Sequence, residues 1–250
     1  MTSLESILPA EIDPLIAVGL LAISFLGSFI TAAFGIGGGV VVLAVLASLL
    51  PPAALIPVHG VVQLGSNAGR TLIMRAHISW PIIGSFLIGA LIGVGIGGMI
   101  VIDLPASVIQ IVVGLFVLWT IFFKPPAFLR KAAWIAGGVS SLLTMFFGAT
   151  GPFVAGYIKA QGFDRMGHVA THAACMTLQH GLKVLAFGLL GFAFGPYIFL
   201  IAGMIAVGFL GTIVGRRVLM KIDERLFGLA LNGILIALSL RLIWAGATEL

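Results

Sequence analysis

Two segments carry polar and basic side chains at helical spacing inside otherwise apolar sequence. The first reads VHGVVQLGSNAGR, Val58–Arg70, and its His59, Gln63, Ser66 and Arg70 recur every three or four residues, with Asn67 beside Ser66. The second reads HVATHAACMTLQHGLK, and His168, His172, Cys175, Gln179 and Lys183 keep the same rhythm, with His180 beside Gln179. Residues at that spacing share one face of a helix. Neither stripe holds a carboxylate. All eight Asp and Glu (Glu5, Glu11, Asp13, Asp103, Asp164, Asp223, Glu224 and Glu249) lie at the termini or between apolar runs. Buried carboxylates are what usually attract a cation or proton inside a membrane. An interior of histidine, amide, hydroxyl, Arg70 and Lys183 should instead favour an anion. The alternative is that these groups only glue helices together, as Ser, Asn, Gln and His do in membranes. Two matching stripes that each end in a cation speak against that.

The elements that must position these stripes are membrane helices. Of the 250 residues, 60% are hydrophobic and 8% charged, against about 25% charged in soluble domains. The net charge of +5 does not point to nucleic acid, because the cations sit in short connections between apolar runs. Ten apolar elements are expected at 14–34, 36–50, 53–73, 79–101, 105–123, 132–147, 149–160, 166–192, 195–215 and 226–245. The first lacks a basic leader, since Glu5, Glu11 and Asp13 precede it, and reads as a retained span. Cys175 is the only cysteine, so no intrachain disulfide can form. The second and seventh elements are short for a bilayer core that needs about 20 helical residues. Each begins at a glycine cluster, GIGGG at Gly35–Gly39 and GATGP at Gly148–Pro152.

A helix that starts inside the membrane leaves its first N–H groups unpaired and points its positive dipole end inward. Such a terminus binds anions, and glycine lets the backbone come close. Gly37, Gly38 and Gly39 are therefore candidate substrate contacts in one half, and Thr150 and Gly151 in the other. The glycines Gly89, Gly93 and Gly97 read instead as close helix packing.

The offset that carries His59 onto His172 also carries Phe34 onto Phe147, Gly35 onto Gly148, Gly38 onto Gly151 and Arg70 onto Lys183. It carries Gly95 and Gly98 onto Gly208 and Gly211 as well. The expected fold is an all-α polytopic membrane protein of about ten helices. It comprises two inverted five-element repeats, 1–125 and 126–250, with short broken or re-entrant helices starting at the glycine runs. With the N-terminus outside, ten crossings put Arg70, Arg75, Lys124, Arg130, Lys131, Lys159, Arg165, Arg216, Arg217, Lys221 and Arg225 on the cytoplasmic side, and Asp103 and Pro196 outside.

The paired motifs resemble the TauE/SafE transporter family over nearly the whole chain. GIGGG, LLPP at Leu49–Pro52, the polar helix ending at Arg75 and HISW at His77–Trp80 resemble its first half. GATGPF at Gly148–Phe153 and FDRMGHVATHA at Phe163–Ala173 resemble its second. In that family the first glycine run is often followed by a proline a few residues on. Val40–Leu43 has none here, whereas Pro152 is retained in the second copy. The resemblance implies a transporter of small sulfur-containing anions, such as sulfite or sulfonates, in the bacterial inner membrane and without an ATP-hydrolysing domain. The partners are then an anionic substrate and the lipid bilayer, with a proton gradient as one candidate driving force and no cofactor or metal. No signal of oligomeric state is present. The rivals are a passive anion channel, or an intramembrane enzyme using Ser66 or Cys175 with a histidine base. The enzyme lacks a membrane carboxylate to orient that histidine and any HExxH-type metal motif.

The topology has a direct test. Single cysteines at positions 75 and 217 should be modified by an impermeant thiol reagent only from the cytoplasmic face, and those at 103 and 196 only from outside. Labelling of 75 and 103 from one side would overturn the inverted arrangement.

Overall fold

The computed structural model describes residues 8, 12–34, 37–100, 105–123, 132–218 and 224–249. Among them are ten α-helices and no strand. They are α1 (Pro14–Phe34), α2 (Gly38–Leu49), α3 (Pro52–Ile73), α4 (Trp80–Ile100), α5 (Ala106–Phe122), α6 (Ala133–Phe147), α7 (Gly151–Ala160), α8 (Arg165–Leu189), α9 (Ile198–Val218) and α10 (Glu224–Thr248). The sequence-based positions Asp103, Lys124, Arg130, Lys131 and Lys221, and the glycine-run residue Gly35, lie outside the described residues. So does the side chain of Arg225.

Pro14–Phe34, Trp80–Ile100 and Gly195–Arg217 are long and apolar enough to cross a membrane. α3 and α8 reach 22 and 25 residues, but their polar stripes dilute the apolar run. At 12 and 10 residues, α2 and α7 span about 18 and 15 Å, roughly half a bilayer core.

The breaks before the short helices are set by backbone geometry. Gly37 and Gly148 have φ of 104° and 80°, a left-handed conformation that costs any residue with a Cβ. Gly148 stops α6, its N–H bonding back to the Thr144 carbonyl at 3.1 Å. α7 accordingly starts at Gly151, two residues later than the apolar pattern alone places it. α9 begins at Ile198 because Pro196 lies in a preceding 3-10 turn, Gly195–Tyr197.

α3 and α8 pack together at the centre, and α2 and α7 begin against them. Around this core, the most extensive pairs are α1 with α9, α4 with α6, and α5 with α10. Glycines set their approach. On α4, a Cβ at Gly89 or Gly93 would collide with the carbonyls of Trp134 and Gly138 on α6, and one at Gly97 would press on Met145. On α9, Gly211 faces the Phe25 carbonyl of α1 in the same way. Gly95 and Gly98 face open space, whereas Gly208 and Gly211 pack on α1. The glycine matches at that end of the offset therefore do not mark equivalent contacts.

Among the described residues, the basic turns before α4 and α8 lie at one end of the bundle. The 3-10 turn Arg75–His77 leads to Ser79, whose N–H donates to the Thr171 hydroxyl of α8 at 3.0 Å. At the same end, the Arg165 guanidinium donates to the Ala33 carbonyl in the last turn of α1 at 3.1 Å. The α8 N-terminus is capped by Asp164, whose carboxylate accepts the Gly167 N–H at 2.7 Å. Pro52, at the start of α3, and Gly191 and Phe192, after α8, share a cleft at the other end.

Gly38 is the tightest of these contacts. A Cβ there would overlap the Gly27 carbonyl and the Thr31 hydroxyl of α1, so Gly38→Ala should destabilise the protein by about 1–3 kcal/mol. Gly95→Ala, which meets nothing within 4 Å, should stay within about 1 kcal/mol of wild type. Thermal melts in one detergent check both; equal melting of the two variants would contradict this packing.

Candidate functional site

The starts of α2 and α7 meet the middles of α3 and α8 around one small buried cavity of about 30 Å³. That is room for a group the size of one or two waters. Gly37, Gly39 and Val40 line it from the α2 start, and Ala149, Gly151 and Pro152 from the α7 start. α3 contributes His59, Gln63, Asn67 and Arg70; α8 contributes His172, Met176 and His180; α1 contributes Thr31.

Each short helix is tied down by a histidine. His59 Nε2 lies 3.0 Å from the Gly39 carbonyl, and His172 Nε2 lies 3.2 Å from the Gly151 carbonyl. A carbonyl oxygen only accepts, so both imidazoles donate through Nε2. Neither helix start has a side-chain cap. The Gly37 carbonyl takes the N–H groups of Val40 and Val41, leaving those of Gly38 and Gly39 without an acceptor inside α2. In α7 the second residue is proline and Phe153 N–H bonds to the Thr150 carbonyl, which leaves the Gly151 amide. Backbone donors and positive dipole ends therefore converge from two sides.

Arg70 supplies the charge. It is 1% exposed; Nη1 donates to the Ser66 hydroxyl at 3.2 Å and Nη2 to Asn67 Oδ1 at 2.7 Å. Nε has no partner. Asn67 is itself oriented by donating to the Gln63 carbonyl at 2.7 Å, and Ser66 shares a hydrogen bond of 2.8 Å with Ser28. Among the described residues no carboxylate faces this guanidinium. A buried cation with neutral partners and a spare donor is an arrangement completed by an anion.

The remaining sequence-based candidates stand behind the cavity or beside it. Lys183 is fully buried and spends its ammonium on the Gly148 carbonyl at 3.0 Å, alongside the Thr144 hydroxyl at 2.9 Å. It holds the α6–α7 break. Gln179 closes a ring with α6 and α7: it donates to the Thr150 hydroxyl and accepts from Ser140, both at 2.8 Å, while Thr150 donates to the Ser140 carbonyl at 2.9 Å. Gly38 faces α1 and Ser66 faces Ser28, neither lining the cavity. Cys175 lies among Phe86, Ala90, Val154 and Met176 in an apolar cluster and also does not line it.

Thr31, Val40, Ala149, Pro152 and Met176 line the cavity without having been named as substrate contacts from sequence. For Thr31 a signal existed. The offset that pairs the histidines also carries Ser28 and Thr31 onto Ser141 and Thr144, four more buried hydroxyls.

Gly151 and Gly38 now separate site from scaffold. A Cβ on Gly151 would sit at ordinary contact distance, 3.6 Å from His172 Nε2 and 3.8 Å from its Cε1, on the cavity wall. If the cavity holds a small anion, Gly151→Ala should therefore melt close to wild type yet lose about ten-fold or more in affinity for it. Gly38→Ala should lose stability first. Thermal-shift titration with small oxyanions reads both quantities; unchanged anion affinity in Gly151→Ala would remove the α7 terminus from the site.

A search of curated proteins and of solved structures returns no match. The family model described as "Sulfite exporter TauE/SafE" matches residues 20–242, nearly the whole chain. Together with the apolar helices, this makes the protein a multi-pass membrane protein. The chain belongs to the TauE/SafE sulfite-exporter family, a family of membrane transporters.

Proposed function

We propose that this protein is a secondary transporter of a small sulfur-containing anion, sulfite or a compact sulfonate, in the bacterial inner membrane. The observation that carries the reading is the convergence on one cavity of two half-helix N-termini and the Arg70 guanidinium, which meets no carboxylate among the described residues. Two dipole ends and a cation stabilise negative charge between packed apolar helices. Amides and the planar guanidinium fork match the oxygens of an oxyanion.

The substrate contacts are Gly37, Gly39, His59, Gln63, Asn67, Arg70, Gly151, His172 and His180. Gly38, Ser66, Thr150, Cys175, Gln179 and Lys183 support them from behind. The cavity size favours a compact anionic head.

The halves 1–125 and 126–250 act as inverted repeats. Support comes from the helix pairs, which map onto one another when the halves are exchanged. The α1–α9 pair corresponds to α6–α4, and the α3–α9 contact to α8–α4; the α3–α8 and α5–α10 pairs map onto themselves. Such an arrangement allows the site to open to each side in turn. The basic end of the bundle faces the cytoplasm, in keeping with the positive-inside bias.

Uptake into proteoliposomes tests the reading. A panel of sulfite, sulfate, thiosulfate, short sulfonates and short carboxylates should show saturable sulfite transport, and Arg70→Gln should weaken its half-saturation by about ten- to hundred-fold. Arg70→Lys keeps the charge and loses the fork, so it should fall between the two. Wild-type half-saturation in a well-folded Arg70→Gln protein would remove the cavity from the transport path. Equal uptake across the whole panel would favour a channel.

A further inference from the structure

Resting on the reading of this cavity as the anion site, we propose that the His59–His180 pair binds the proton that accompanies the anion. His59 on α3 and His180 on α8 both line the cavity and are 0% and 1% exposed. Their rings meet edge to face, with centroids 5.9 Å apart and planes at 82°. Each Nδ1 is buried without a hydrogen-bond partner. In His59 the Nε2 proton is committed to the Gly39 carbonyl, so Nδ1 is the position where a proton is gained or lost. This nitrogen faces the α6–α7 break, 3.5 Å from where a Cβ on Gly148 would stand. Lys183 donates to the carbonyl of that same glycine.

The charged and titratable groups around the pair are few. Arg70 and His172 line the same cavity as both rings, and Lys183 reaches the Gly148 carbonyl beside His59. α2 and α6 bring no titratable side chain, and α7 carries only Tyr157 and Lys159, toward its C-terminal end. Among the described residues no carboxylate lies in the helices around the cavity, so the usual membrane proton carrier is missing from it. With the Arg70 guanidinium already in the cavity, a further positive charge on the pair is unfavourable until an anion enters. The anion offsets Arg70, and the pair then takes a proton from bulk water. By reciprocity the proton tightens the anion equally. Release of one favours release of the other, which links an outward anion flux to proton movement in the same direction.

Calorimetry on the full-length protein in detergent tests this. Sulfite is titrated into the protein in two buffers of different ionisation enthalpy, and sulfite's own ionisation, measured without protein, is subtracted. Wild type should take up about one proton per sulfite bound, so its affinity should rise about ten-fold per unit fall in pH. His59→Gln and His180→Gln, both in the cavity wall, should each weaken sulfite binding and reduce the proton count per sulfite bound, and the double variant, titrated at higher sulfite, should abolish both the uptake and the pH slope. Glutamine at 59 retains a donor for the Gly39 carbonyl. Sulfite binding by wild type without proton uptake would overturn the inference and leave the anion site standing. So would full uptake in the double variant, or uptake lost in Lys183→Gln alone. No sulfite binding by wild type would overturn the anion site and this inference with it.

Discussion

A helix that starts within an apolar interior exposes amides that lipid cannot satisfy, and the rest of this protein is arranged to cover two such starts. The covering must come from protein, so α3 and α8 have to run past α2 and α7 and carry polar groups at mid-length. His59 and His172 do this directly, each fastening the first turn of a short helix through a carbonyl. The same demand explains why the two longest central helices are among the least apolar. It also explains why the outer pairs pack through glycine: α1 with α9 and α4 with α6 shield the centre most effectively when their backbones touch.

The two polar stripes, on α3 and α8, follow one pattern and finish it differently. In the first, Arg70 keeps its fork partly uncommitted, held in place by Ser66 and Asn67. In the second, the matching Lys183 gives its ammonium to the Gly148 carbonyl and stabilises the break itself. Lysine suits that task, since a compact ammonium at a helix C-terminus meets the negative dipole end. Gln63 and Met176, also related by the offset, line the cavity with an amide on one side and a soft thioether on the other. The cavity is thus polar toward α3 and softer toward α8.

The polar stripes were legible because charge and amide are costly in an apolar run, and their recurrence at one offset is hard to obtain by chance. The glycine alignments were less informative. Gly95 and Gly98 match Gly208 and Gly211 in sequence and share no role, because a missing side chain records only that something is close or that nothing needs to be there. Which stripe residues face the cavity could not be read from spacing alone. Residues one step apart around a helix differ by about 100° in direction, so Asn67 reaches the cavity while its neighbour Ser66 turns to Ser28.

From sequence alone follow the membrane-embedded helical class, the ten elements, the two breaks and the two basic stripes that hold no carboxylate. These rest on local composition and on backbone rules that glycine and proline impose wherever they stand. Tertiary structure decided the division of labour. It turned Gly38 toward α1 and Gly151 toward the cavity, and it left Arg70 available while spending Lys183. It also set His59 against His180 across more than a hundred residues of chain. Each of these depends on which helix lies alongside and at what depth, a property of the packed bundle that no single segment carries.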